Sequence, residues 1–232
     1  MSNLAKYYDA LVKDEAASLL WLAFTKTHAT GSSLLELAAG TGEITRLLAY
    51  SDYHVHASDI DEEILAINQK KNEGLGIEFS ITDMRSFSFD TKFDTIVCYC
   101  DSVNYLEDEK EVKALFSHVD QHLKDSGVFL FDIHSRERLE EFQEPFIEEG
   151  YVDGVAYQWM IETAGNRLYH HFSFWENEIP SEESFYQTVF NIEDIRLYLE
   201  ELGFSITIFT DFLEKGIKSG ERYCIVARRE KR

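Results

Sequence analysis

Proline and cysteine are scarce in this 232-residue chain, at two and three residues. Basic residues are also few. Lys and Arg total 22 against 43 Asp and Glu, so the formal charge is 22 − 43 = −21. Long uninterrupted apolar runs are missing as well. Each shortage excludes something. Cys98, Cys100 and Cys224 are odd in number and unsuited to a disulfide framework, so reduced core thiols are expected. A Cys98-x-Cys100 metal pair has no second ligand cluster beside it. The shortage of Lys and Arg argues against a nucleic-acid partner, whose affinity rests on neutralised phosphates, and against an anionic membrane surface. No apolar stretch is long enough to cross a bilayer. The start, Met1 to Asp9, lacks the basic and apolar regions of a secretory signal. A cytoplasmic protein without a membrane partner is the expectation. Pro145 and Pro180 roughly bracket a segment unlike the rest, and no repeat or low-complexity linker is visible.

What is present is an ordinary globular composition, 44% hydrophobic and 28% charged, with enough chain for one core and an inserted lobe. Three parts are read: a core over 1–140, an inserted lobe over 141–190 and a terminal part over 191–232. In the first part strand and helix patterns alternate. Apolar residues recur at helical spacing over Leu11–Thr27, Glu43–Tyr50, Glu62–Asn72 and Glu109–Leu123. Short apolar runs at Ser33–Leu37, His54–Ser58, Ile77–Ile81, Phe93–Tyr99 and Val128–Ile133 read as buried strands. This alternation predicts an α/β fold, a doubly wound parallel sheet covered on both faces. The terminal part reads as a helix, Ile192–Leu202, with Asn191 as N-cap and Gly203 as its stop. Two strands follow, Phe204–Thr210 and Arg222–Ala227. No helix separates them, so they form an antiparallel hairpin. The middle is rich in Tyr, Phe, Trp and His. Val155–Thr163, Arg167–Trp175 and Ser184–Phe190 predict an inserted antiparallel sheet, with a turn at Ala164-Gly165-Asn166. The charge run Arg136–Glu149 reads as a solvated helix or loop.

The chemistry concentrates at Leu35-Glu36-Leu37-Ala38-Ala39-Gly40-Thr41-Gly42-Glu43, a strand running through a glycine turn into a helix. Glycines let the backbone approach a ligand, and the helix start offers unpaired N–H groups. A tight structural turn would look the same in isolation. About twenty residues on, however, the second strand ends at Ser58-Asp59-Ile60, where a carboxylate accepts hydrogen bonds from ribose hydroxyls. The pattern therefore reads as a nucleoside-cofactor site. A dinucleotide fingerprint wants a third glycine; that position is Thr45, and the first small position is Ala38. Glu36 before the turn suits a cationic ligand end, such as an ammonium group.

With these motifs the chain resembles the class I S-adenosylmethionine-dependent methyltransferases of the small-molecule type, over about residues 7–135 and, with weaker motifs, the terminal helix and hairpin. Nearest in pattern are bacterial stand-alone enzymes and sugar N,N-dimethyltransferases, through Tyr7-Tyr8-Asp9, Asp83-Met84-Arg85 and the aromatic insert. The resemblance implies a Rossmann-like, mostly parallel sheet of seven strands with a terminal antiparallel hairpin. It implies S-adenosyl-L-methionine as cofactor, held by Glu36, Ala38, Gly40, Thr41, Gly42, Asp59 and Ile60. Asp83 and Met84 would meet the adenine, and Cys100, Asp101 and Ser102 would lie beside the sulfonium end. Phe93-Asp94-Thr95-Ile96 and Gly127–Asp132 resemble the family's fourth and fifth strands. Asp132-Ile133-His134 departs from what a sugar substrate would lead one to expect, so substrate class does not carry over.

Tyr8 and His134 are the candidate catalytic residues, Tyr8 over the cofactor and His134 just past the fifth strand. Tyr7 is the weaker candidate; a packing role is the alternative for each tyrosine, and a structural histidine for His134. His170 and His171 adjoin in a strand and point to opposite faces, so they do not form a metal pair, and no metal is assigned. The aromatic insert could be only the core of a small sheet, wall an acceptor pocket or form a homo-oligomer interface. Transfer of a methyl group to a small-molecule acceptor, an amine among the candidates, is the leading reading. An NAD-dependent oxidoreductase and a non-catalytic cofactor-binding module are the alternatives. Glu36, Thr45 and the terminal hairpin count against the oxidoreductase.

Overall fold

The computed structural model describes residues 6–7, 10–11, 14–177 and 179–229. Tyr8 lies outside the described residues. The strands are β1 (Ser33–Glu36), β2 (His54–Asp59), β3 (Glu78–Ile81), β4 (Phe93–Cys98), β5 (Leu123–His134), β6 (Phe146–Val152), β7 (Val155–Ala164), β8 (Arg167–Glu176), β9 (Ile179–Thr188), β10 (Phe204–Thr210), β11 (Glu214–Lys215) and β12 (Arg222–Arg229). The helices are α1 (Glu15–His28), α2 (Glu43–Ala49), α3 (Glu62–Lys71), α4 (Glu109–His122), α5 (Glu137–Glu141) and α6 (Ile192–Glu201).

Local chemistry sets the helix starts. Asp14 accepts from Ala17 N, Asp61 from Glu63 N and Ile64 N, Asp108 from Lys110 N and Glu111 N, and Asn191 from Glu193 N. Each satisfies a backbone donor that the helix cannot. In α4, Val112, Leu115, Phe116 and Val119 are buried, the spacing of one helical face.

The large sheet runs β3-β2-β1-β4-β5-β12-β10-β11. β1 pairs in parallel with β2 and β4, β2 with β3, and β4 with β5. β12 is antiparallel to both β5 and β10, so the terminal hairpin closes the sheet as the sequence predicts. The expected seven strands are joined by two-residue β11, which pairs with β10 inside the stretch read as a plain connection. Successive residues of each inner strand enter opposite cores. Leu35, Phe129 and Phe131 pack with α4 and α6, whereas Leu34, Val128 and Leu130 pack with Trp21 and Phe24 of α1. That is why these strands read as unbroken apolar runs.

The inserted sheet has order β6-β7-β8-β9 and is antiparallel throughout. Two expectations are corrected here. The third insert strand begins at Ile179, not Ser184, and ends at Thr188. The charge run around 136–149 holds the short helix α5 and the start of a fourth insert strand, β6. β6 is an edge strand, mostly exposed, so its alternation is masked by Glu148 and Glu149. Asn104 joins the two sheets: its Nδ2 donates to Thr188 O at 2.6 Å and its Oδ1 accepts from His134 N at 3.0 Å.

Candidate active site

The chain leaves β1 to α2 and β2 on one side, while β4 lies on the other side of β1. Loops diverge at such a switch point and leave a crevice beyond the carboxyl ends of the strands. A cavity of about 410 Å³ fills that crevice. Glu36, Ala38, Gly40, Thr41 and Gly42 line it from the loop after β1, Cys100, Asp101 and Ser102 from the loop after β4, and His134 from the end of β5. The inserted sheet adds Trp159, Ile161, His170, Phe172, Phe185 and Gln187, and α1 with its N-cap adds Asp14, Ala17, Ser18 and Trp21.

The glycine loop is held from below. Gly40 N donates to Asp59 Oδ2 at 2.9 Å, and Ala39 N donates to Ser58 O at 2.9 Å. Asn68 Nδ2 donates to Gly40 O at 3.2 Å and Asn72 Nδ2 to Gly42 O at 3.0 Å. Gly42 has φ +86°, and a methyl group there would overlap the Asn68 carboxamide. Gly40 has φ +55°, and a methyl group there would meet nothing within 4 Å. Asn68 and Asn72 were not among the candidates from sequence. Their signal is two amides four residues apart, Asn68 on the buried side of α3 and Asn72 at its C-cap.

Glu36 is only 4% exposed, and its Oε2 is buried without a hydrogen-bond partner. Burial pushes its carboxyl up to about 8; the Thr45 hydroxyl opposes this and the Asp59 charge adds to it. Asp59, at the end of β2, is raised by burial although the N–H groups of Asp61 and Gly40 counter the effect. Ile60 is exposed beyond it. Asp83 and Met84 follow β3, outside the cavity's described lining. Arg85 grips Asp83 through Nε at 2.9 Å and NH2 at 2.6 Å and holds its carboxyl below the usual range. Met84 packs against the main core.

Under the loop after β4 lies a buried charge network. Cys100 and Asp101 both have positive φ, 58° and 59°. Asp101 N donates to Asp132 Oδ2 at 3.1 Å, and Arg222 NH1 reaches Asp132 Oδ2 at 3.3 Å and Asp101 Oδ1 at 3.6 Å. Burial and the Asp101 charge push Asp132 well above the ordinary carboxylate range. Burial also acts on Asp101, but the charges of His134 and Arg222 outweigh it and hold it low. The two carboxyls titrate as one pair, with Asp132 pushed toward the neutral form and Asp101 toward the anion. His134 is 4% exposed; its Nδ1 lies 3.6 Å from Asp101 Oδ1 and its Nε2 lies 2.9 Å from Gln187 Oε1.

The alternation of the inserted strands explains the opposite wall. Trp159 faces Phe172 across β7/β8, Ile161 faces His170, and His170 faces Phe185 across β8/β9. His171 points the other way and meets Ser184 Oγ at 2.9 Å, as expected from adjacent strand positions. Tyr7 is buried and sits 5.5 Å from Phe174, ring to ring, so it packs on the insert. Arg222, Asp132, Gln187 and His170 complete the site without having been assigned to it from sequence, and Trp159 does so as part of the aromatic insert that could wall an acceptor pocket. Only the period-2 pattern of the insert pointed toward any of them.

Comparison with known proteins agrees with this geometry. Residues 34–127 match a family model described as a methyltransferase domain. The candidate methyltransferase YqeM of Bacillus subtilis (strain 168) is 33% identical over 193 residues, covering 78% of this chain and 77% of that one. The dTDP-3-amino-3,6-dideoxy-alpha-D-glucopyranose N,N-dimethyltransferase of Streptomyces fradiae is 30% identical over 119 residues, 51% of this chain and 45% of its own. The crystal structure of an S-adenosylmethionine-dependent methyltransferase from Clostridium acetobutylicum ATCC 824 superposes with a TM-score of 0.84 at 26% identity, covering 98% of each chain. With the sequence relative covered over three quarters of both chains and the fold shared end to end, the chain belongs to the S-adenosylmethionine-dependent methyltransferase family.

Proposed function

We propose that the protein methylates an amine nitrogen of a small molecule bound between the glycine loop and the inner face of the inserted sheet. The observation that carries this reading is the shared cavity, lined on one side by the loop and on the other by Trp159, Phe172 and Phe185. Aromatic faces attract ammonium groups and pack on apolar rings. The carboxylates at the same cavity add a negative field that favours a cationic acceptor.

The residues present fit S-adenosylmethionine. Glu36 offers a buried carboxylate oxygen without a partner, which the cofactor's ammonium would satisfy. Space over Gly40 is open to a ligand. In this reading Ala38, Gly40, Thr41 and Gly42 hold the amino-acid end by backbone. Asp59 takes the ribose hydroxyls with Ile60 beside it, and Asp83 and Met84 flank the adenine. Cys100, Asp101 and Ser102 stand at the sulfonium end. The bound cofactor supplies an electrophilic methyl group. Residues 1–140 then serve the cofactor, 141–190 the acceptor, and 191–232 complete the sheet and bring Arg222 under Asp101.

The chain's own contribution is positioning and charge pairing. A neutral amine needs no strong base to attack, but it releases a proton afterwards. Asp101 Oδ1, held as the anion by Arg222 and lying 3.6 Å from His134 Nδ1, pairs with the ammonium product, which releases its proton to solvent. Gln187 fixes the far side of the His134 ring.

The test is methyl transfer from labelled S-adenosylmethionine to small-molecule extracts fractionated by charge. Label is expected in the cationic fraction. Label confined to anionic molecules, or to protein or nucleic acid, would contradict the amine reading.

A further inference from the structure

Gln187, near the end of β9, touches both histidines of the cavity. Burial, reinforced by His134 and opposed by Gln187, lowers the His170 imidazole to about 4, so the ring is neutral near physiological pH. Trp159 Nε1 donates to His170 Nδ1 at 3.2 Å. An indole N–H can only donate, so the proton of His170 lies on Nε2. Nε2 is then the nitrogen that hydrogen-bonds the Gln187 side chain, and Gln187 must present its oxygen there. Turned end for end, the amide would set its NH2 group against an N–H. The same Oε1 lies 2.9 Å from His134 Nε2, so His134 donates to it as well. A neutral imidazole has one N–H. With that proton held at Nε2, His134 Nδ1 is a lone pair. Nδ1 lies 3.6 Å from Asp101 Oδ1, beyond hydrogen-bond length. The backbone of His134 is pinned separately, its N–H donating to Asn104 Oδ1 at 3.0 Å.

We infer that Gln187 is a positioning residue of the active site: by claiming the one N–H of neutral His134 it keeps that histidine from capping Asp101, and so leaves Asp101 Oδ1 to the cationic group of a ligand. Trp159 and His170 set the direction of the amide and extend this control to the inserted sheet. The inference rests on the reading that S-adenosylmethionine fills the cavity with its sulfonium at Asp101. Arg222 NH1, also 3.6 Å from Asp101 Oδ1, and Asp132, which hydrogen-bonds Asp101, stay in place whichever way His134 is protonated. Without the Gln187 oxygen, the His134 proton moves to Nδ1, where a carboxylate oxygen faces it. The N–H···O bond so formed draws on the charge that faces the ligand. A cationic ligand then binds less well, and a neutral one is little affected.

The probes are S-adenosylmethionine, which carries the sulfonium charge, and S-adenosylhomocysteine, which lacks it. Both are titrated calorimetrically into the full chain at mildly alkaline pH. The ratio of their affinities should fall about tenfold in Gln187→Leu. It should stay at or above the wild-type value in Gln187→Glu, whose carboxylate accepts the same two N–H groups. In a His134→Phe background, which has no N–H to hold, Gln187→Leu should leave the ratio unchanged. A merely structural role would weaken both ligands together and keep the ratio. Nitrogen NMR at the same pH should place the His134 proton on Nε2 in the wild type and shift it toward Nδ1 in Gln187→Leu. Should Gln187→Leu fail to fold, Trp159→Phe should move ratio and tautomer in the same directions, because His170 can then turn a lone pair to Gln187. An unmoved ratio, an equal fall in Gln187→Glu, a fall that persists in the His134→Phe background, or a wild-type proton on His134 Nδ1 would each overturn the inference. Failure of S-adenosylmethionine to bind the wild type would overturn the functional reading and this inference with it. Binding of both ligands with a ratio that no variant moves would overturn the inference alone.

Discussion

Asp59 Oδ2 accepts a hydrogen bond from Gly40 N at 2.9 Å. The carboxylate that ends β2 therefore also shapes the loop that follows β1. With the Ala39 N to Ser58 O bond it ties the loop to the end of β2, where Gly40 lines the cavity.

The two loop glycines should behave differently when replaced. A methyl group on Gly42 would collide with Asn68, whereas one on Gly40 would enter open space. Both have positive φ, so each alanine carries backbone strain of about 1 kcal/mol or more. Gly42→Ala should lose roughly 2–3 kcal/mol of stability. Gly40→Ala should lose clearly less, yet weaken S-adenosylmethionine binding because its methyl group occupies ligand space. Thermal unfolding with and without cofactor separates the two effects.

Arg222 should matter more to stability than Asp132, although both sit in the same buried network. Asp132 is the carboxyl pushed toward its neutral form, so the neutral replacement Asp132→Asn should cost about 1 kcal/mol or less. Arg222→Met strands the Asp101 carboxylate without its cation and should cost about 3 kcal/mol. The loss should be pH-dependent. Without Arg222 the Asp101 carboxyl rises above its unfolded value, so the folded state holds the proton more tightly. The deficit is then largest near neutral pH and shrinks as pH falls toward the ordinary carboxylate range. Denaturant unfolding at several pH values measures it.

The features legible in sequence are the local ones. The glycine loop, Asp59 at the end of β2 and the terminal hairpin each follow from periodicity and turn residues within a few positions. The contacts that complete the site are not local. Arg222 meets Asp132 ninety residues away, and His134 meets Gln187 at a separation of 53. Both depend on strand register, which no single segment encodes. β6 is not legible in sequence because an edge strand bearing Glu148 and Glu149 shows no apolar alternation.

Glu36 should leave a signature in the pH dependence of stability. Burial raises its carboxyl to about 8, above its unfolded value. Stability from this group is complete below the unfolded pKa and is lost as pH rises through about 8. Between acid and mildly alkaline pH, the wild type should therefore lose more thermal stability than Glu36→Gln, which has nothing to titrate. Saturating S-adenosylmethionine should flatten the wild-type decline, because its ammonium favours the carboxylate. Parallel pH profiles of the two proteins that superpose would remove Glu36 from the cofactor site.

Isothermal titration of S-adenosylmethionine and, separately, NAD into wild type, Glu36→Gln and Asp59→Ala tests the assignment of the cavity most directly. The wild type should bind S-adenosylmethionine at one site per chain and show no heat with NAD. Each substitution should weaken binding about tenfold or more, the loss of one charge-assisted contact. Unchanged S-adenosylmethionine affinity in both variants, or binding of NAD in its place, would contradict it.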